Sequence, residues 1–123
     1  MNRFGLVIDG FAGFGGASKG IADALGRPVD IAINHDPDAI LLHETNHPET
    51  LHITEDIFKV DILKYTKGRH VSLMWASPDC TSHSKAKGGQ PREKGLRILP
   101  WAVYKHVKKI LPDVVLMENV EEI

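Results

Sequence analysis

Cys80 is the only cysteine in the 123-residue chain. It stands in SPDC, directly after an apolar run from Val71 to Ala76, and Thr, Ser, His and Lys follow it. An ordinary thiol ionises near about 8.5, and nearby cations raise the thiolate fraction around neutrality, so a strand-end cysteine with polar flanks has the setting of a nucleophile. The other reading is an inert buried thiol. Glu118 follows a second apolar run, Val114–Met117, in MENV. Alone it is a surface acid after a strand, but beside a nucleophile it can hold or release a proton. The two groups belong to one chemistry only if the fold brings two strand tips together.

Two further patterns carry possible chemistry. DGFAGFGGASKG places Gly10, Gly13, Gly15, Gly16 and Gly20 between a strand and a helix. Such a loop permits a tight turn, close approach of a ligand to the backbone, and use of the unpaired N–H groups that open a helix. It reads either as a turn without a ligand or as a nucleotide or cofactor loop. Within it GASKGI, with Tyr104 and Lys108 at Tyr-x-x-x-Lys spacing, is similar to short-chain dehydrogenases. Against this, residues 10–16 intervene after the strand, and no serine lies at the expected distance before Tyr104. HETNH, from His43 to His47, matches the His-Glu-x-x-His zinc signature, whose two imidazoles share a helix face. Pro48 ends that helix and His52 does not fit a third-ligand spacing, so the pentapeptide reads as a surface helix end with no metal.

The elements that must position these residues follow from periodicity. Residues 5–9 (GLVID) read as a buried strand and residues 17–25 as a helix, with Ile21, Ala24 and Leu25 on one face and Gly26 and Pro28 ending it. Residues 29–34 (VDIAIN) form a second strand. Pro37 opens a helix carrying Ala39, Ile40 and Leu42 that stops before Pro48. Leu51–Thr54, Val71–Ala76 and Val114–Met117 read as the third, fourth and fifth strands. Between the last two, apolar residues from Leu96 to Leu111 recur at helical spacing, with a kink or start at Pro100. Short apolar strands alternating with helices predict an α/β fold with a mostly parallel sheet covered on both faces. In such sheets ligands sit beyond the carboxyl ends of the strands, and residues 10–16, His35 and Asp36, residues 77–80, and Glu118 and Asn119 fall at those ends.

Four motifs, in order along the chain, then resemble one family. DGFAGFGG resembles D-x-F-x-G-x-G-G, the S-adenosylmethionine loop of DNA cytosine-5 methyltransferases. EDI, at Glu55, Asp56 and Ile57, fits the cofactor motif after the third strand. SPDC resembles the Pro-Cys nucleophile motif, and MENV the Glu-Asn-Val motif. The resemblance implies a Rossmann-like S-adenosylmethionine-dependent methyltransferase fold. It also implies transfer of a methyl group to C5 of cytosine in double-stranded DNA through a covalent cysteine adduct.

Carried onto this sequence, the resemblance makes Cys80 the nucleophile that attacks cytosine C6, Glu118 the group at the N3 edge and Asn119 the residue that positions the glutamate's loop. Phe11 would pack against the adenine, and Ala12, Gly13, Phe14, Gly15 and Gly16 would hold the methionine part. Asp56 and Ile57 would meet the adenine edge, and Ser77 and Pro78 would border the cofactor. The ribose carboxylate aligns with His35 or Asp36, and Asp36 has the required chemistry. Asp79 departs from the usual apolar or proline residue before the cysteine. Its charge disfavours a thiolate unless Lys85, Lys87 or Arg92 answers it. The segment from Ser84 to Arg97 holds Lys85, Lys87, Arg92, Lys94 and Arg97 against Glu93. It reads as a solvated basic loop or as a mobile loop on DNA phosphates while the cytosine is flipped out.

Bulk composition bounds the partners. Apolar content of 42% and charged content of 25% are ordinary for a soluble domain, and one cysteine excludes an internal disulfide. Fifteen basic residues against sixteen acidic ones leave a formal charge of −1, without the basic surplus of most nucleic-acid binders. No signal peptide or membrane span is apparent, so a cytoplasmic location is expected. Residues 1–123 read as one truncated S-adenosylmethionine-binding and catalytic lobe. The family's later strands, target-recognition region and C-terminal segment have no counterpart here. Activity is therefore expected to need a C-terminal segment or complementing chain, and exposed apolar surface predicts self-association. The alternative is a non-catalytic cofactor-binding fragment or inactive remnant.

Overall fold

A computed structural model of the chain describes residues 4–12, 15–77 and 101–118. Five strands form one sheet: β1 (Leu6–Asp9), β2 (Ile31–Asn34), β3 (Leu51–Thr54), β4 (Val71–Ala76) and β5 (Val114–Met117). Helix α1 (Gly16–Leu25) joins β1 to β2, α2 (Pro37–Asn46) joins β2 to β3, and the short α3 (Ile62–Thr66) precedes β4. A fourth helix, α4, covers residues 101–110. The strand order is β3-β2-β1-β4-β5, and every pairing is parallel. The chain moves outward from β1 to β3, then crosses to the other side of β1, so the order reverses between β1 and β4. At such a point the loops from neighbouring strands diverge and leave a crevice.

Alternation along β1 divides the core. Leu6 and Ile8 join Ile31, Ile33, Ile53, Met74 and the α4 residues Ala102 and Val103 on one face. Val7 joins Val29 and Leu73 on the other, with Ile21 of α1 packed against them. The β1 entrance is tied by a charged clamp. Arg27 reaches both carboxylate oxygens of Asp30 at 2.9 and 2.7 Å and the carbonyl of Gly5 at 2.8 Å, while Asp30 Oδ2 accepts from the Val7 amide. Helix α4 ends where Leu111 turns left-handed, at φ 48°, before Pro112, which disfavours a helical residue ahead of it.

Three expectations need correction. Helix α1 buries Ser18, whereas Ala24 and Leu25 are exposed. Leu25 instead lines an open apolar groove of about 590 Å³ with Phe4, Leu73, Val114 and Leu116. Helix α2 buries Ala39, Ile40 and His43 and leaves Leu42 outside, because positions i, i+1 and i+4 share a helix face. His43 is therefore no surface helix end: its side chain is 0% exposed. Helix α3, five residues long, has no counterpart among the expected elements; it is bounded by Asp61 before it and by left-handed Lys67 and Gly68 after it. Strand β5 is an edge among the described residues, and all four of its side chains are exposed, by 37–47%.

Candidate active site

The carboxyl rim of the sheet holds Phe11, Asp36, Asp56, Ser77 and Glu118, five of the residues singled out from the sequence. Strands β1, β2 and β3 lie side by side and end at Asp9, Asn34 and Thr54. Phe11, Asp36 and Asp56 each stand two residues beyond one of those ends. Lateral hydrogen bonds continue past the strands and hold these segments in line. The Ala12 amide donates to Ile33 O at 2.9 Å, and the Glu55 amide to Asn34 O at 3.1 Å. The Asn34 carboxamide in turn donates to the carbonyl of Ala12. Gly10 joins the row to β4 by donating to Trp75 O at 2.8 Å.

Each candidate side chain has a local reason for its place. Asp36 is the N-cap of α2: one of its oxygens accepts from the Asp38 amide at 3.0 Å, and its own amide donates to Asn34 Oδ1 at 2.8 Å. The cap fixes the carboxylate and leaves its other oxygen facing an exposed position. Neighbouring His35 is exposed as well. Asp56 makes the equivalent turn, Oδ1 accepting from the Phe58 amide at 2.9 Å. Ile57 is buried, and its carbonyl accepts from Nε2 of His106 at 2.6 Å, so α4 fixes the segment after β3. Phe11 is half-buried against the core. Gly15 takes φ 109°, a left-handed turn that opens α1, followed by Gly16 as the first helical residue.

At the other end of the rim, β4 and β5 run parallel with Ala76 opposite Met117. The Glu118 amide donates to Ala76 O at 2.9 Å, so the pairing extends one residue past β5. Glu118 is exposed and Ser77 half-exposed at these tips. Gly13, Phe14, Pro78, Cys80, Ser84, Lys85, Lys87, Arg92, Arg97 and Asn119 lie outside the described residues.

Sequence reasoning missed a buried polar chain under the glycine loop. Asp9, the acid that opens DGFAGFGG, is 1% exposed; Ser18 Oγ donates to its Oδ2 at 2.8 Å, and Oδ1 has no partner among the described residues. Burial pushes the Asp9 carboxyl above the usual carboxylate range, against the opposing pull of Ser18, the Phe11 amide and His47. Ser18 also meets His43 Nε2 at 2.8 Å, and His43 Nδ1 meets His52 Nε2 at 2.7 Å. The available signal was the inward register of position 43 on α2. No group of three or more His, Cys, Asp or Glu side chains among the described residues could hold a metal ion. Tyr104 is exposed on α4, its ring 5.2 Å from that of Trp101 and under the Lys108 ammonium. No helix of the described residues is long and apolar enough to cross a membrane.

The comparisons agree with this architecture. A DNA modification methyltransferase encoded within an E. coli prophage superposes with a TM-score of 0.73 at 31% identity, over 93% of this chain and 31% of that one. The S. pombe Dnmt2 methyltransferase superposes with a TM-score of 0.59 at 22% identity, over 97% of this chain and 35% of that one, a likeness of fold. The chain thus spans about a third of the length of these structures. No curated protein matches it significantly. The family model of C-5 cytosine-specific DNA methylase matches residues 6–123, from the first residue of β1 to the last of the chain. With four motifs, strand order and matched span in agreement, the chain belongs to the C-5 cytosine-specific DNA methylase family.

Proposed function

We propose that this chain is the S-adenosylmethionine-binding and catalytic lobe of an enzyme that methylates cytosine C5 in double-stranded DNA. The observation that supports this reading is the parallel pairing of β4 with β5, Ala76 opposite Met117: in the sequence Cys80 follows the first strand by four residues and Glu118 the second by one. The cofactor side rests on Phe11, Asp36 and Asp56, each two residues past one of three adjoining strands, with a capped carboxylate able to accept from ribose hydroxyls. These groups fit a nucleoside: an aromatic face, a diol acceptor and a polar adenine edge. Ala12, Gly13, Phe14, Gly15 and Gly16 would follow the methionine part, with Ile57, Ser77 and Pro78 completing the wall. Bound there, S-adenosylmethionine supplies an electrophilic methyl group on a sulfonium.

The remaining work falls to the chain's own residues. Cytosine C5 is a weak nucleophile, so the Cys80 thiolate adds to C6, forming a C–S bond and shifting an electron pair toward C5. Glu118 holds a proton at N3 while negative charge develops on the ring, and Asn119 fixes the glutamate's loop. After the methyl group reaches C5, loss of the C5 proton returns the electron pair and expels Cys80. Ser84, Lys85, Lys87, Arg92 and Arg97 would bind backbone phosphates around the extruded base. Since the chain spans about a third of its structural neighbours, turnover requires a C-terminal segment or complementing chain. The cytoplasm, where DNA is accessible and thiols stay reduced, is the proposed location.

Methyl transfer to a cytosine-containing duplex, assayed with and without the remaining lobe, tests the reading. Turnover with the lobe, its loss in Cys80→Ala and a trapped adduct on 5-fluorocytosine DNA are the expected results. A completed protein that turns over equally well as Cys80→Ala refutes the mechanism.

A further inference from the structure

Helix α2 grips the loop that opens α1 at two points, and the proposed chemistry uses neither. His47, at the C-cap of α2, lies with Nε2 3.1 Å from the carbonyl of Gly15. A Cβ built on Gly15 would sit 2.7 Å from that nitrogen, so the turn and the imidazole are fitted to each other. One turn earlier, His43 meets Ser18, and the two imidazoles of α2 lie tilted at 37° with centroids 4.6 Å apart.

Hydrogen positions follow from the partners. A carbonyl only accepts, so His47 carries its proton on Nε2. With Asp9 ionised, the Ser18 hydroxyl donates to it, Ser18 receives from His43 Nε2–H, and His43 Nδ1 accepts from His52 Nε2–H; with Asp9 protonated the chain runs the other way, and in both cases His43 Nε2 is bonded to Ser18. The result is a continuous chain linking His52 on β3 through α2 and α1 to Asp9 on β1. The titratable groups facing His43 are Asp9 from β1, His52 from β3 and His47 on its own helix, with Glu44 beside His52.

We propose that His47 and His43 are positioning residues for the cofactor loop, His47 fixing the Gly15 carbonyl and His43 fixing Ser18, so that α2 holds the mouth of α1 in its ligand-binding shape. This rests on reading residues 10–16 as the S-adenosylmethionine loop. A helix entered through a left-handed glycine has no side-chain cap of its own, and α1 shows none. The two imidazoles replace that missing restraint from outside. Asp36 caps the opposite end of the same helix α2, so one rigid element would set both the ribose carboxylate and the methionine loop.

Hydrogen exchange on the full chain, read by peptide, decides the point together with calorimetric titration of S-adenosylhomocysteine. His47→Ala should raise exchange at residues 15–19 by about fivefold, the opening expected from one lost hydrogen bond, while Val71–Ala76 stays protected. His47→Gln, whose amide N–H can reach the same carbonyl, should restore protection, and nitrogen NMR should find both ring nitrogens of His43 hydrogen-bonded near neutral pH. Should β4 lose protection in His47→Ala, the glutamine variant alone carries the comparison. Unchanged loop exchange, or a His43 Nε2 without a hydrogen bond, overturns the proposal. If wild type binds S-adenosylhomocysteine and His47→Ala binds it equally well, the positioning role falls and the cofactor reading stands. If wild type binds none while the exchange pattern holds, the cofactor reading falls and the restraint stands.

Discussion

Acidification from pH 7 to pH 5 should weaken the fold by about 2 kcal/mol through His43. Its imidazole is 0% exposed, and burial, with His47 and His52 adding repulsion, lowers its pKa from the ordinary 6.5 to about 4. A base whose folded pKa is depressed contributes stability above its unfolded value, and loses it as pH falls toward the folded one. The window therefore runs from 6.5 down to about 4. At pH 5 the unfolded chain is almost fully protonated at this site and the folded chain about one-tenth, which integrates to about 2 kcal/mol, rising to about 3 kcal/mol by pH 4. His52, lowered first by burial, adds in the same direction. Asp9 opposes both: its folded pKa is raised, so it takes up a proton earlier in the folded state and returns some stability as pH falls. Urea titrations at half-unit pH steps, followed by far-ultraviolet circular dichroism, give the slope. His43→Gln, which can still donate to Ser18 but cannot titrate, isolates the histidine as the difference between two pH profiles. If the two profiles run parallel between pH 7 and 5, the burial argument is wrong. A loss of 2 kcal/mol is a large part of the stability of a small domain.

Ser18→Ala removes the hydroxyl that meets both Asp9 Oδ2 and His43 Nε2, and should lower the unfolding free energy from urea titration by about 2–4 kcal/mol. Asp36→Asn keeps the α2 cap but removes the charge, so it should weaken S-adenosylhomocysteine binding with little change in stability. Asp36→Ala should do both, at a stability cost of about 1 kcal/mol, as calorimetry and thermal melts will show. Leu116→Glu, on the exposed edge strand and in the groove, should reduce concentration-dependent self-association in sedimentation runs without lowering the melting temperature.

Much of the frame was legible in the sequence. Leu51–Thr54, Val71–Ala76 and Val114–Met117 match the expected strands residue for residue, because apolar runs bounded by Thr, Ser, Pro or Asp leave little choice of register. The rim was legible for the same reason: polar residues after apolar runs can only sit at strand ends. The inward face of α2 was misread. Reading HETNH as a surface helix end followed its polarity, whereas the helix places position 43 with Ala39 and Ile40 regardless of polarity. A buried histidine becomes tolerable only when Ser18 and His52, from elsewhere in the chain, supply both hydrogen bonds. Helix α3 is too short for periodicity to reveal, and only Asp61 and Gly68 mark its ends. Leu25 follows the helical pattern yet stays exposed, because the groove it lines is open.

Strand β5 has a consequence for how the protein is made. Four successive apolar residues on an edge, among the described residues, present both bare side chains and backbone groups able to template another strand. A ribosome that has released the chain as far as β5 holds a folded sheet whose last-made edge is adhesive. Until a further strand or a neighbouring surface reaches it, that border is where nascent chains would find one another, so slower translation just downstream should raise the demand on chaperones.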